Sequence, residues 1–211
     1  LLIRATESDS KLAPAWGNLA NGYVQLGKTQ EAEISIRKAI ELNPNLFNSH
    51  FLLANILIGQ KKLQEAEQPL RKTIELKPDY AEVHTNLGII LKDLGNLKDA
   101  ELSYRKAIQI KSDYAEAHYN LGNILSDLSK IKEAEFSYRK AIEIKPDYAE
   151  AHSNLGNILR DLGKLQEAEL SYSKAIKIKP NRLLYFNYAS YLFEKRSLYE
   201  AKINLNKAKA L

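Results

Sequence analysis

Residues 115–123 read AEAHYNLGN, and residues 149–157 repeat them almost letter for letter as AEAHSNLGN. The offset is 34 residues, and 24 of the 34 positions in 115–148 are identical in 149–182. The same frame runs back through 81–114, 47–80 and 13–46, and forward into 182–211 after a one-residue deletion. A fixed period of this length indicates a repeat protein in which each unit is one supersecondary element.

Each unit contains two helical segments. In the third unit, small and apolar residues recur with helical spacing over 81–94 and again over 97–110. Gly95 stands between the segments, where a helix ends in the left-handed conformation. Proline ends the second helix in four units, at Pro44, Pro78, Pro146 and Pro180. Ser112 replaces this proline once, which predicts a helix that runs on or frays there.

A hairpin of two short helices cannot cover its own apolar face, so neighbouring hairpins must stack. We therefore expect an all-α fold, a right-handed α-solenoid of antiparallel helix pairs. Residues 1–12 are expected to be the remnant of a preceding unit, cut within its second helix. The predicted units that follow are 13–46, 47–80, 81–114, 115–148, 149–181 and 182–211, and together they form one solenoid domain.

The signature residues of the first unit resemble those of the tetratricopeptide repeat family. They are Trp16, Leu19, Ala20, Tyr23, Ala32, Ile36, Ala39 and Pro44. The resemblance covers nearly the whole chain and extends to the tetratricopeptide superhelix of O-GlcNAc transferases and to near-consensus bacterial members. It implies a platform for protein binding in which the first helix of each unit lines a concave groove.

Four places of that first helix, the second, sixth, ninth and thirteenth, fall on one side of it and form what we call the stripe. In the third to fifth units the stripe carries carboxylates at Glu82, Glu116, Glu150, Asp93, Asp127 and Asp161. Two of its ninth places hold Asn123 and Asn157. We expect an acidic, amide-rich groove, although the net charge of the chain is +5.

The sixth place of the stripe holds asparagine in every unit but one, where Leu52 stands. These asparagines are Asn18, Asn86, Asn120, Asn154 and Asn187. Because an amide both donates and accepts, such a column can hold an extended peptide by its backbone, as in the asparagine ladder of O-GlcNAc transferases that it resembles. The alternative is that the amides bond to neighbouring helices or to water. Candidate anchors for the peptide, each of which could instead pack on an adjacent helix, are Phe51, Tyr119, Phe186 and Phe193.

Other regular features suggest less. Histidine recurs every 34 residues, at His50, His84, His118 and His152, but on different hairpins, so neither a metal site nor a cofactor is predicted. Basic pairs recur on the second helices, at Arg37–Lys38, Arg71–Lys72, Arg105–Lys106 and Arg139–Lys140. We interpret them as a solvated outer face. The alternative is a basic surface that binds phosphate or anionic lipid. Nucleic acid is not favoured, because no aromatic residues interleave with these pairs.

The acidic groove also argues against two functions. A chaperone-type clamp that holds a C-terminal carboxylate would meet Glu82, Glu116 and Glu150 in the matching places. The same carboxylates repeat on an open surface without a nucleophile, so we expect no catalysis in this region.

We therefore expect a protein-interaction scaffold that binds an extended, basic or neutral polypeptide. One alternative is the recognition arm of a larger glycosyltransferase, sulfotransferase or methyltransferase, since a first residue other than methionine suggests a longer protein. Another is a scaffold that self-assembles through its terminal units, because Leu205, Ala208 and Leu211 lack a polar cap. Without an apolar run long enough to span a membrane or a signal peptide, the expected location is the cytoplasm.

Overall fold

The computed structural model describes residues 13–210, and every regular element within them is an α-helix. The predicted remnant at 1–12 and the residue Leu211 lie outside this range. In chain order the helices are α1 (Ala13–Gln25), α2 (Thr29–Leu42), α3 (Phe47–Gly59), α4 (Leu63–Leu76), α5 (Ala81–Asp93), α6 (Leu97–Ile110), α7 (Ala115–Asp127), α8 (Ile131–Ile144), α9 (Ala149–Asp161), α10 (Leu165–Ile178), α11 (Arg182–Glu194) and α12 (Leu198–Ala210).

The chain divides into two compact parts, one ending at Lys111 and the other beginning at Ser112. We call these parts the first and the second unit of the structure, and each contains three of the predicted 34-residue repeats. In the first, α1 packs on α2, α3 on α4 and α5 on α6, and successive hairpins join through α2–α3 and α4–α5 contacts. The second repeats this arrangement from α7 to α12. The all-α fold of antiparallel helix pairs is confirmed, and the division into individual repeats stays a prediction.

A left-handed residue marks the turn inside every hairpin. In the first unit φ is +71° at Gly27, +62° at Lys61 and +82° at Gly95, so the left-handed helix end expected at Gly95 is confirmed. The second unit has φ of +59° at Ser129, with Gly163 and Arg196 in the same conformation. Three of the six turns therefore place a residue with a side chain where glycine fits more easily.

The helix extension expected at Ser112 does not occur. Helix α6 ends at Ile110, and Lys111 is extended with φ of −134°, like Lys77 ahead of its proline with φ of −144°. The Lys111 backbone N–H donates to the carbonyl oxygen of Ala107 at 2.9 Å. That bond is the last one of the helix, and the chain then leaves it with the same extended backbone whether or not proline follows.

Within the hairpins, glycine on the first helix lies against tyrosine on the second. A Cβ atom added to Gly88 would lie 2.6 Å from the ring of Tyr104, and one added to Gly122 would lie 2.6 Å from the ring of Tyr138. Gly156 faces Tyr172 in the same way. These tyrosine rings are buried, so the two helix backbones approach closely, and this packing fixes the odd-numbered helices that carry the stripe.

The histidines tie the start of an odd-numbered helix to the turn before it. The ring Nε2 of His50 donates to the carbonyl oxygen of Pro44 at 2.8 Å, and that of His118 donates to the carbonyl oxygen of Ser112 at 3.0 Å. The same bond is made by His84 and His152. Burial lowers the pKa of His152, which favours the neutral ring.

Candidate peptide-binding groove

In the first unit, α1 and α3 line a polar pocket of about 460 Å³, together with Ile36 of α2 and Leu46 of the turn that follows it. It is lined by four asparagine side chains and by apolar residues that include Phe51 and Leu52. The asparagines are Asn18, Asn21, Asn48 and Asn55. No charged side chain lines this pocket, which we call the amide pocket, among the residues that the structure describes.

The next odd-numbered helix of the first unit is acidic. On α5, Glu82 and Asp93 are exposed, and Asn86 is half-buried between them. The Asn86 Nδ2 group donates to Asn55 Oδ1 at 3.2 Å, so the two helices are joined across the stripe. Within this unit the stripe therefore changes from neutral on α1 and α3 to acidic on α5.

The second unit contains an equivalent hydrogen bond between asparagine side chains of successive hairpins. The Asn154 Nδ2 group donates to Asn123 Oδ1 at 2.9 Å, and Asn123 Oδ1 also accepts from the hydroxyl of Tyr138 at 2.8 Å. Asn157 accepts from Tyr172 at 2.7 Å. The ninth-place amides therefore satisfy buried phenols, a role that sequence reasoning missed.

Burial also shifts the titration of these phenols. It raises the pKa of Tyr172 to about 12, and it raises the pKa of Tyr138 well above its ordinary value. Both hydroxyls therefore stay protonated and remain hydrogen-bond donors to the amides at neutral pH.

The sixth-place asparagines keep hydrogen-bonding capacity for a ligand. Among residues 13–210, no hydrogen bond is made to Oδ1 of Asn86 or Asn154, although each Nδ2 group donates to an amide of the preceding hairpin. Asn120 and Asn187 are half-buried, and Asn18 is exposed; none of the three forms a side-chain hydrogen bond within that range. Toward a ligand, the amide oxygens of Asn86 and Asn154 can therefore accept, and Asn86 also keeps one of its two N–H donors.

The carboxylates of the second unit differ in how far they are neutralised. Glu150 pairs with Lys179 at 3.4 Å, and Asp161 pairs with Arg160 at 3.0 Å. Glu116 and Asp127 on α7 are exposed and form no ion pair with any described residue. The strongest acidic character of this unit is therefore on α7.

The four candidate anchors fall into two groups. Phe51 and Tyr119 are half-buried, with their ring centroids 5.1 Å from Tyr80 and 4.8 Å from Tyr148, respectively. Phe186 and Phe193 are 53% and 66% exposed and line an apolar cleft between α11 and α12. Phe51 also lines the amide pocket, and the Tyr119 hydroxyl accepts from Asn154 Nδ2 at 3.4 Å.

Most side chains of the basic pairs on the even-numbered helices are neutralised by carboxylates of the same helix, although Lys106 donates to the uncharged Gln109. Arg37 pairs with Glu33 at 2.8 Å, and Lys38 pairs with Glu41 at 3.0 Å. Equivalent pairs join Arg71 to Glu67, Lys72 to Glu75, Arg139 to Glu135 and Lys140 to Glu143. Exposed pairs of this kind contribute only about 0.3–0.5 kcal/mol each, but they favour a solvated outer face over an anion-binding one.

Comparison with known proteins agrees with this geometry. The sequence matches the tetratricopeptide repeat at residues 13–46, 115–148 and 149–182, and again at 36–68, and it matches the related TPR repeat at 90–129. These matches cover well over half of the chain. No curated protein matches it.

Solved structures share the fold at low sequence identity. One is YrrB, described as a TPR protein with an unusual peptide-binding site, with a TM-score of 0.77, 22% identity and coverage of 92% of this chain and 97% of that one. PilW, a type IV pilus biogenesis factor, has a TM-score of 0.80, 18% identity and coverage of 94% and 93%. PilF of Pseudomonas aeruginosa has a TM-score of 0.73, 20% identity and coverage of 94% and 96%.

None of the helices between residues 13 and 210 is long and apolar enough to cross a membrane. Helix pairs, left-handed turns and sequence matches agree along most of the chain. The chain belongs to the tetratricopeptide repeat family, whose members are protein-interaction scaffolds.

Proposed function

We propose that this region binds an extended polypeptide along the stripe and serves as a scaffold rather than as a catalyst. The observation that carries the proposal is the set of sixth-place asparagines, which are half-buried on four of the odd-numbered helices and retain free amide oxygens. An extended peptide presents backbone N–H groups at regular intervals, and each can donate to one of these oxygens.

The neighbouring side chains would select the sequence of that peptide. In the first unit, the amide pocket suits an uncharged side chain that packs on Phe51, whereas Glu82 and Asp93 suit a basic one. In the second unit, Glu116 and Asp127 favour a basic side chain as well. The proposed partner is therefore basic or neutral, and a C-terminal carboxylate would be repelled.

Measurable peptide affinity requires both the hydrogen bonds to the asparagines and the contacts with the neighbouring side chains. Five backbone hydrogen bonds at a net of about 1 kcal/mol each contribute about 5 kcal/mol. Ordering a disordered peptide costs about 2–5 kcal/mol, so the amides alone leave little net affinity. The amide pocket and the stripe carboxylates must supply the rest.

Selection of peptides from a random display library against the 211-residue chain tests this function. We expect the enriched peptides to carry an uncharged apolar residue together with lysine or arginine. The charge-reversed variant Glu82→Lys/Glu116→Lys/Glu150→Lys should lose the selection for basic residues. The matched control is Asp79→Lys/Asp113→Lys/Asp147→Lys, which makes the same change in net charge at exposed residues of the turns between hairpins.

If both triple variants lower the enrichment of basic peptides equally, the effect comes from net charge and not from the stripe. If no peptide is enriched above an unrelated helical protein, the chain does not bind peptides in this way and the proposal is wrong.

A further inference from the structure

The even-numbered helices of the second unit contain a pocket between α8 and α10, which we call the outer pocket. Its volume is about 270 Å³. Ile142 and Leu170 line it, and the buried side chains of His152 and Leu155 contribute from α9. Neither residue of α9 stands at a place of the stripe. Helix α11 packs against α9 and α10, so the outer pocket lies between two hairpins that a third one follows.

One positive charge at the outer pocket is not neutralised. Arg139 pairs with Glu135 and Glu167, and Glu143 pairs with a lysine of its own helix. Lys174 also lines the pocket, is exposed and forms no ion pair with any described residue. The pocket therefore suits an apolar group that has a carboxylate beside it.

The next groove of the same unit, between α10 and α12, shows which apolar group fits beside this lysine. The last two hairpins align with an offset of 33 residues, so Lys207 stands at the place of Lys174, and Tyr185 at that of His152. The Lys207 Nζ atom lies 5.8 Å from the ring centroid of Tyr185. An aromatic ring therefore lies beside the lysine in that groove, whereas the smaller His152 leaves room for one in the outer pocket.

An exposed aromatic side chain lies on the same face. Tyr199 in the first turn of α12 is 79% exposed, the largest fraction among the large apolar side chains that the structure describes. It lies one helical turn before Ile203, the counterpart of Leu170 in the outer pocket. Its place is exposed throughout the unit, because Lys132 of α8 and Gln166 of α10 are exposed there although a further hairpin follows each.

The carboxylate next to Tyr199 lacks the partner that its counterpart has. Glu167 is the counterpart of Glu200 on α10, and it pairs with Arg139 of the preceding hairpin. The hairpin that precedes α12 has Ser173 at the place of this arginine. Residues 199 and 200 therefore present an exposed ring and an exposed carboxylate together, the two groups that suit the outer pocket.

We infer that the outer pocket takes up Tyr199 of a second copy of this chain, with Glu200 of that copy beside Lys174. The pocket and the tyrosine lie on one face, formed by α8, α10 and α12, so two copies exchange them reciprocally in a symmetric dimer. The stripe lies on the odd-numbered helices and takes no part in this contact. The dimer therefore presents two stripes, which is a function beyond the binding of a single peptide.

Sedimentation velocity of the 211-residue chain over a range of concentrations measures this dimer. We expect a reversible dimer that Tyr199→Ser weakens by about tenfold or more, because one substitution removes an aromatic anchor from both contacts. The control Phe193→Ser removes a ring that is 66% exposed in the cleft of α11 and α12, and it should leave the dimer unchanged.

An exchange of charges tests the pairing itself. Lys174→Glu and Glu200→Lys should each weaken the dimer, because like charges then meet at both contacts. In an equimolar mixture of the two variants, opposite charges meet again at both contacts, so heterodimers should form with about the affinity of the parent chain. The control Lys145→Glu changes an exposed residue of a turn between hairpins and should have no effect. Circular dichroism checks that each variant stays folded.

Three outcomes would overturn the inference. The first is a chain that stays monomeric at the highest concentration it reaches. The second is a dimer that Phe193→Ser abolishes and Tyr199→Ser leaves intact, because the copies would then meet through the cleft of α11 and α12. The third is a mixture of the two charge variants that does not recover the dimer.

Discussion

Replacement of Gly122 by alanine sets two opposing effects against each other in the middle of α7. Alanine favours a helix interior over glycine by about 1 kcal/mol. The added Cβ atom, however, would lie 2.6 Å from Cε1 and 2.7 Å from Cδ1 of Tyr138. Overpacking a well-filled core costs about 1–3 kcal/mol.

The ring of Tyr138 cannot easily move away from this contact. It is only 2% exposed, and its hydroxyl donates to Asn123 Oδ1 at 2.8 Å. We therefore expect Gly122→Ala to lower the free energy of unfolding by about 1–2 kcal/mol, because the overpacking outweighs the gain in helix propensity. The control Gly59→Ala, where no atom lies within 4 Å of the new Cβ, should be neutral or slightly stabilising.

The chain also indicates how to relieve the strain. At the equivalent pair of places, α3 and α4 have Ala54 and Leu70, and α11 and α12 have Ala189 and Leu205. The double variant Gly122→Ala/Tyr138→Leu should therefore be more stable than the sum of its single changes implies, by about 1–2 kcal/mol.

Urea unfolding followed by circular dichroism measures these free energies. Native-state hydrogen exchange of α7 and α8 shows whether the loss is local, as expected for an array of repeats. A Gly122→Ala variant as stable as the parent chain, or strict additivity in the double variant, would refute the packing argument.

Three further predictions concern stability. Ser129→Gly should raise the free energy of unfolding by about 0.5–1 kcal/mol because φ is +59° there, and Gly95→Ala should lower it by about 1 kcal/mol; urea midpoints check both. Burial raises the pKa of Tyr172 to about 12, against about 10 in the unfolded chain. Its stabilising contribution is therefore complete below pH 10 and is lost as the pH rises toward 12. In Tyr172→Phe, the free energy of unfolding should fall less steeply with pH over this range. Burial lowers the pKa of His152. Its contribution to stability is therefore present above pH 6.5, the ordinary pKa, and is lost as the pH falls through the lower pKa of the folded state. In His152→Tyr, the free energy of unfolding should depend less on pH below 6.5.

The sequence was sufficient to predict the helix pairs, because the 34-residue period fixes where each helix begins and ends. It was misleading at Ser112, where the absence of proline suggested a longer helix. The extended backbone of Lys111 ends α6 without help from proline, and a residue pattern does not reveal that conformation.

The stripe could be predicted only in part. Its places follow from helical periodicity, but the bonds from Asn86 to Asn55 and from Asn154 to Asn123 depend on the distance between hairpins. The neutral character of α1 and α3 could be predicted from Asn21 and Asn48. The expectation was instead built on the third to fifth 34-residue repeats, and it described the whole groove as acidic. The pocket itself needs coordinates, because its wall is formed by residues of three helices together.

The central claim is that the sixth-place asparagines hold a peptide by its backbone. Its most direct test is calorimetric titration of a selected peptide into the parent chain and into Asn86→Ala/Asn120→Ala/Asn154→Ala. The control is Gln30→Ala/Gln64→Ala/Gln166→Ala, which removes three exposed amides from the even-numbered helices. Loss of three bonds at about 1 kcal/mol each predicts affinity lower by roughly a hundredfold in the asparagine variant and unchanged in the control. Equal affinity for all three proteins would contradict the account and would leave the asparagines with a role only in joining hairpins.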